Sequence, residues 1–269
     1  MPRFLPRLAT CALASLLSTS ALAESYTLAT PPLLSQIEQK RQYGPLASYL
    51  SAATGEDIQH LTSVNYISYW ERMRQDRYYD LVLDGAHLVD FRIKKLKHIP
   101  IAKVTNVLSY SFVTAPKTQV FDTSELVGKP VAGLPAPSLG AVQLLNLFPN
   151  PVRQPLLVQV DNIDQVIERL KNGSVVGAFI PTPMAAIYPE LNVVQTTEQM
   201  PHIAMTASPR VPEAVIAKIR TALLDAGKSE AGRKMLQSIN VEGFEPTDAA
   251  TYDGFSRLLD GVWGYNKTD

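Results

Sequence analysis

Cysteine is almost missing: 269 residues hold one, Cys11. It falls inside an N-terminal targeting segment, so the exported chain is expected to carry none. That excludes a disulfide framework and any cysteine-based nucleophile or metal site. Histidine is nearly as sparse, and His60, His87, His98 and His202 stand too far apart for a local metal-ligand pattern. There is no Gly-x-Ser-x-Gly elbow, no His-Glu-x-x-His helix and no glycine-rich phosphate loop. Gly227-Lys228-Ser229 lacks the upstream glycine of a P-loop, because Ala222 stands there. Without a nucleophile–base pair, an exported hydrolase is disfavoured. The expectation is a non-enzyme with no cofactor and no metal.

Charge is also thin and balanced. Charged residues make up 19% of the chain, with 25 basic against 25 acidic side chains and no basic run, so nucleic acid is not an expected partner. Long apolar runs are confined to the start. Arg3 and Arg7 form a basic region, Leu8–Leu17 a short apolar core, and Ala21-Leu22-Ala23 a small-residue cleavage site before Glu24. Residues 1–23 therefore read as a secretory signal peptide cut after Ala23, too short for a membrane span.

From Glu24 onward the chain alternates short apolar strands with helical patterns, the mark of an α/β protein. The stretch from Asn65 to His87 is the most informative. It reads as a loop carrying Tyr66, a helix over Ser68–Gln75 capped by Ser68 with Glu71 three residues on, and a buried strand Asp80–Leu83. An Asp84-Gly85 turn then opens the next helix. Gly44-Pro45 is expected to divide one helix from another ending at Gly55. Tyr252–Val262 is expected to be helical. Residues 107–205 form a strand–helix set of their own, so the flanking parts must rejoin. The pattern predicts two lobes, 24–106 with 206–269 and 107–205, joined by crossover strands near Thr105–Ser109 and Pro201–Met205. A cleft between lobes so joined can close on a ligand.

Three strand-to-helix loops end in small hydroxyl residues, Thr30, Ser138 and Thr182. Any one of them is explained as a helix cap. Together, facing one cleft with Tyr66 and the Gly85–His87 turn, they point to a small oxyanion held by hydrogen bonds and helix N-termini.

Several segments in order, Tyr43-Gly-Pro-Leu-Ala-Ser-Tyr-Leu50, Thr54-Gly55, Asn65-Tyr66 with Glu71 and Met73-Arg74, Tyr79-Asp80-Leu-Val with Gly85, Ser138-x-Gly140 and Asn172-Gly173, carry a resemblance. The chain resembles the phosphonate/phosphite-binding family of ABC importers, which are type II periplasmic binding proteins. The resemblance covers nearly all of the exported chain. It implies a two-lobed α/β fold with mixed sheets flanked by helices and two hinge strands. It also implies a periplasmic monomer that binds a small anionic solute and serves an inner-membrane ABC permease. A ligand sensor partnering a membrane histidine kinase or cyclase is the alternative role. By the same resemblance Tyr66 contacts the ligand, Ser138, Leu139 and Gly140 hold its oxyanion, and Tyr110 lies beside a further contact. The acid of a Gly-x-Val-Asp segment is absent at Ser174-Val175-Val176-Gly177, and His202 stands where an acid would meet an ammonium group. A simpler oxyanion than an aminoalkylphosphonate, or another solute, is the resulting expectation.

Overall fold

The computed structural model describes residues 24–265. The expected signal peptide, its cleavage after Ala23, and Cys11 lie outside the described residues. Within them the chain runs β1 (Ser25–Ala29), α1 (Gln36–Thr54), β2 (Asp57–Leu61), α2 (Tyr66–Arg74), β3 (Leu81–Asp84), α3 (Ala86–Leu96), β4 (Ile99–Val104) and β5 (Val107–Leu108). It continues through β6 (Tyr110–Thr114), β7 (Pro130–Gly133), α4 (Leu139–Leu147), β8 (Leu156–Gln159), α5 (Ile163–Lys171), β9 (Gly177–Pro181), α6 (Thr182–Ala185) and β10 (Asn192–Thr196). The last elements are β11 (Met200–Pro201), β12 (Ala204–Ala207), α7 (Glu213–Leu224), α8 (Glu230–Ser238) and β13 (Phe244–Glu245).

Two mixed sheets organise these elements. The six-stranded sheet has the order β13-β4-β12-β3-β1-β2, and the five-stranded sheet β10-β6-β9-β7-β8. At the two points where the chain leaves the first sheet and returns to it, β5 and β11 pair antiparallel, Leu108 with Met200 and Val107 with Pro201. β3 lies in the middle of its sheet, parallel to β1 and antiparallel to β12, and all four of its residues are buried. Leu28, Leu81 and Leu83 pack with residues of α1, α7 and α8 in one core. Ala29 and Val82 join α2, α3 and the five-stranded sheet in the other. That alternation is the period-two signature of strands covered on both faces.

Three local expectations change. α1 runs straight through Gly44-Pro45 instead of dividing there. Pro45 faces solvent while Tyr43, Leu46, Ala47 and Leu50 are buried, so packing of the inner face outweighs the lost hydrogen bond. The cap of α2 is Asn65, not Ser68: Asn65 Oδ1 accepts from Ser68 N at 3.1 Å and Ser68 Oγ accepts from Asn65 N at 3.5 Å. This places Tyr66 in the first turn of the helix, not in a loop. The segment expected as a helix over Tyr252–Val262 is instead two 3-10 turns, Ala250–Tyr252 and Phe255–Leu259. Gly254 and Gly261 adopt positive φ and interrupt it.

At the end of β3 sits a buried ion pair. Arg92 on α3 meets Asp84 Oδ2 at 2.9 Å, with both side chains at or below 2% exposure. The Tyr69 hydroxyl donates to Asp84 Oδ2 at 2.6 Å and accepts from Arg92 at 3.0 Å, while Gly85 N donates to Asp84 Oδ1 at 2.8 Å. Removing the cation would leave a buried carboxylate uncompensated. Arg92→Met is therefore expected to lower stability in urea unfolding by about 3–5 kcal/mol. A loss under about 1 kcal/mol would show the pair to be structurally idle.

Candidate ligand-binding site

A cavity of about 240 Å³ opens where β3 ends, lined by loops and helix ends that come from both large sheets. Tyr43 of α1, Tyr66 at the start of α2 and Tyr110 of β6 reach it. Each is at least nine-tenths buried, at 7%, 4% and 6% exposure. Among the described residues none of their three hydroxyls hydrogen-bonds to protein, and none is sealed away from the cavity. Burial pushes the Tyr43 phenol up to about 12, with the Asp84 charge adding to it. Tyr66 is raised further by burial, then by Tyr110 and Asp84; Tyr110 is raised by burial, then by Asp84 and Tyr43. All three are fixed as neutral O–H donors.

Two helix starts lie against the same space. α3 begins at Gly85 with no side-chain cap, so its first-turn N–H groups meet no side-chain acceptor. α4 begins at Ser138, and its first residue, Leu139, lines the cavity. His87 ties the two together through Nε2, 2.8 Å from the Pro137 carbonyl. A carbonyl only accepts, so Nε2 carries the proton, and burial holds the imidazole below its usual range and hence uncharged. The partial positive charge of two helix N-termini thus faces a cavity that no lysine or arginine lines. Asp84 is the lone carboxylate in the lining, and Arg92 offsets its charge.

Of the residues expected from sequence, Tyr66, Gly85, His87, Tyr110, Leu139 and His202 line the cavity. Thr30, Ser138, Gly140 and Thr182 stand outside the lining, each for a local reason. The Thr30 hydroxyl pairs with His60 Nε2 at 2.9 Å. Ser138 Oγ accepts from Ala141 N at 3.3 Å and donates to Leu134 O at 3.0 Å. Thr182 Oγ1 is bound by the Ser109 and Ser111 hydroxyls at 2.9 and 3.0 Å. Gly140 backs onto β9, where an added Cβ would stand 2.9 Å from the Phe179 carbonyl. Their neighbours Pro31, Leu139, Pro181 and Pro183 form the wall in their place. Tyr43 is not among the expected contacts. Its spacing with Leu46, Ala47 and Leu50 reads as core, and the Tyr-Gly-Pro segment is the one signal that could have found it. Asp84 reads only as a turn residue, and the Ile239–Val241 turn carries no motif.

The phosphonate periplasmic substrate-binding protein family of ABC transporters has a sequence model that matches residues 28–252. The chain belongs to this family. No curated protein sequence matches it significantly. Solved structures share the binding protein's fold at low identity. PhnD1 from Prochlorococcus marinus in complex with methylphosphonate has a TM-score of 0.74 at 13% identity, over 89% of this chain and 98% of that one. A binding protein component of an ABC phosphonate transporter from Pseudomonas aeruginosa has 0.72 at 14%, over 88% and 85%. A Xanthomonas citri protein bound to ATP has 0.71 at 14%, over 89% and 100%. The shared fold is that of type II periplasmic binding proteins. Among the described residues of this binding protein no helix is long and apolar enough to cross a membrane, and no group of side chains is arranged to hold a metal.

The histidines set the acid response. Burial lowers His60 and His202 to about 4 and His98 to about 3, from an ordinary 6.5, with Lys40, Lys103 and Arg92 respectively adding to the effect. The unfolded chain then binds more protons than the folded one between the two values, so stability is full above about 6.5 and falls as pH drops through this window. Urea midpoints should decline from pH 7 to pH 4.5, and His98→Gln should flatten the decline. A midpoint that holds or rises on acidification would contradict the assignment.

Proposed function

We propose that the protein captures a small oxyanion of the phosphonate, phosphite or phosphate type and delivers it to an inner-membrane ABC permease. The observation that carries this reading is the set of three buried tyrosines around one cavity whose hydroxyls have no protein partner. An oxyanion seated among Tyr43, Tyr66 and Tyr110 would satisfy all three at once, through hydrogen bonds roughly twice as strong as neutral ones. The uncapped start of α3 and the α4 start at Leu139 supply further donors and a favourable dipole. His87, uncharged, and the Asp84–Arg92 pair leave the cavity without a net cation, so the anion would be held by hydrogen bonds and helix dipoles and by no full counter-charge.

Residues 24–106 with 206–269 form one lobe and 107–205 the other, after export with removal of residues 1–23. The β5–β11 pair is the hinge, two residues wide on each side, and the protein works as a monomer. Closure brings Tyr43, Tyr66 and the Gly85–His87 turn of the first lobe against Tyr110 and Leu139 of the second. Excluding water there strengthens every hydrogen bond. The likeness to a methylphosphonate-bound protein supports the ligand class.

A thermal-shift screen of the purified protein against phosphonates, phosphite, phosphate and sulfate tests this. A ligand at a hundredfold excess over its dissociation constant stabilises by about 2.7 kcal/mol. Tyr66→Phe is expected to weaken binding about ten- to a hundredfold, the worth of one charge-assisted hydrogen bond. No shift with any oxyanion, or unchanged affinity in Tyr66→Phe, would defeat the proposal.

A further inference from the structure

The donors account for only part of the cavity. Much of the remaining lining is apolar: Leu108 of β5, Met184 of α6, Ile187 just beyond it, Ile203 beside β12, and Ile239 and Val241 in the turn after α8. These residues come from both large sheets' surroundings, as the phenols do. Ile187 is 65% exposed although it lines the cavity, so an apolar group seated beside it would take it out of water. The cavity is also large for a bare oxyanion. At roughly 30 Å³ per water, a space of about 240 Å³ is several times what one tetrahedral anion fills.

The rest of that space offers an ammonium group no counter-charge. Asp84 is the one acid in the lining, and its oxygens already take Gly85 N–H, the Tyr69 hydroxyl and the Arg92 guanidinium. The Nδ1 of His202 accepts from Ile203 N at 2.9 Å. Burial keeps that imidazole uncharged at neutral pH, so it adds neither a positive nor a negative group. A charged substituent would lose hydration there without an opposite charge to meet, whereas a hydrocarbon one would bury surface against these side chains.

Resting on the oxyanion reading, we propose that the ligand is an organophosphonate, or a like oxyanion, bearing an uncharged apolar substituent of several carbons. The phenols and helix starts hold the head; Met184, Ile187, Ile203, Ile239 and Val241 hold the substituent. Inorganic phosphate fills the head position alone. An aminoalkylphosphonate carries its charge into the apolar wall.

Calorimetric titration of the purified protein with inorganic phosphate, methyl-, propyl-, phenyl- and 2-aminoethylphosphonate tests the inference. Propyl and 2-aminoethyl differ only in a terminal methyl against an ammonium group, so the pair isolates the charge. Affinity is expected to rise up to about fourfold per added methylene from methyl to propyl. Propylphosphonate is expected to bind at least tenfold more tightly than 2-aminoethylphosphonate. Ile187→Asp, at an exposed position that tolerates a carboxylate, should narrow that ratio by giving the ammonium a partner. Equal or tighter binding of 2-aminoethylphosphonate, or methylphosphonate as the best ligand, overturns the apolar-substituent assignment and leaves the oxyanion reading standing. No binding by any member overturns the oxyanion reading, and this inference with it.

Discussion

The ion pair between Asp84 and Arg92 fixes the geometry on which the site depends. Asp84 ends the central strand β3, Arg92 lies two turns along α3, and Tyr69 on α2 joins both. One buried carboxylate thereby locks the direction of α3, the position of α2 and the turn at Gly85. Buried pairs of this kind add little net stability against a well-packed apolar alternative, but they are costly to break. Here the pair also offsets the negative charge that Asp84 would otherwise leave beside the cavity. Tyr66, one turn before Tyr69 on the same helix, and His87, in the first turn of the helix that carries Arg92, inherit their placement from it.

Around that anchor the cavity is built from groups that are polar but uncharged. Three phenols stay protonated because burial and the nearby carboxylate both oppose their ionisation. Buried imidazoles stay neutral for the same desolvation cost, acting in the opposite direction on a base. Such a lining suits an anion that must be released again. Under the proposed oxyanion reading, hydrogen bonds and helix dipoles would lend affinity in a closed, dry site and surrender it when water returns. A lysine in the wall would hold an anion more strongly, as a point charge with less regard to its shape.

Most of the fold is legible in the chain. Strand–helix alternation places nearly every element, and the two chain crossings near Thr105–Ser109 and Pro201–Met205 coincide with the β5–β11 pair. The lapses share one cause, tertiary packing overriding a local signal. α1 ignores Gly44-Pro45 because its inner face is buried, and Asn65 takes the cap for which Ser68 is suited because the helix starts one turn earlier. The site is less legible. Small hydroxyl residues at strand ends read as anion ligands, yet the hydroxyls of Thr30, Ser138 and Thr182 are hydrogen-bonded within the protein. Periodicity alone cannot separate a core tyrosine from one whose ring is core and whose hydroxyl is not, and so Tyr43 escapes notice. The apolar wall from Ile239 to Val241 is assembled by distant segments, and no sequence pattern announces it.

A crystal structure of the protein grown with propylphosphonate tests the central claim most directly. The phenol oxygens of Tyr43, Tyr66 and Tyr110 are expected about 2.5–3.0 Å from phosphonate oxygens, with the propyl group against Met184, Ile187 and Val241. A ligand bound elsewhere, or one whose oxygens stay beyond about 3.5 Å from all three phenols, would contradict it.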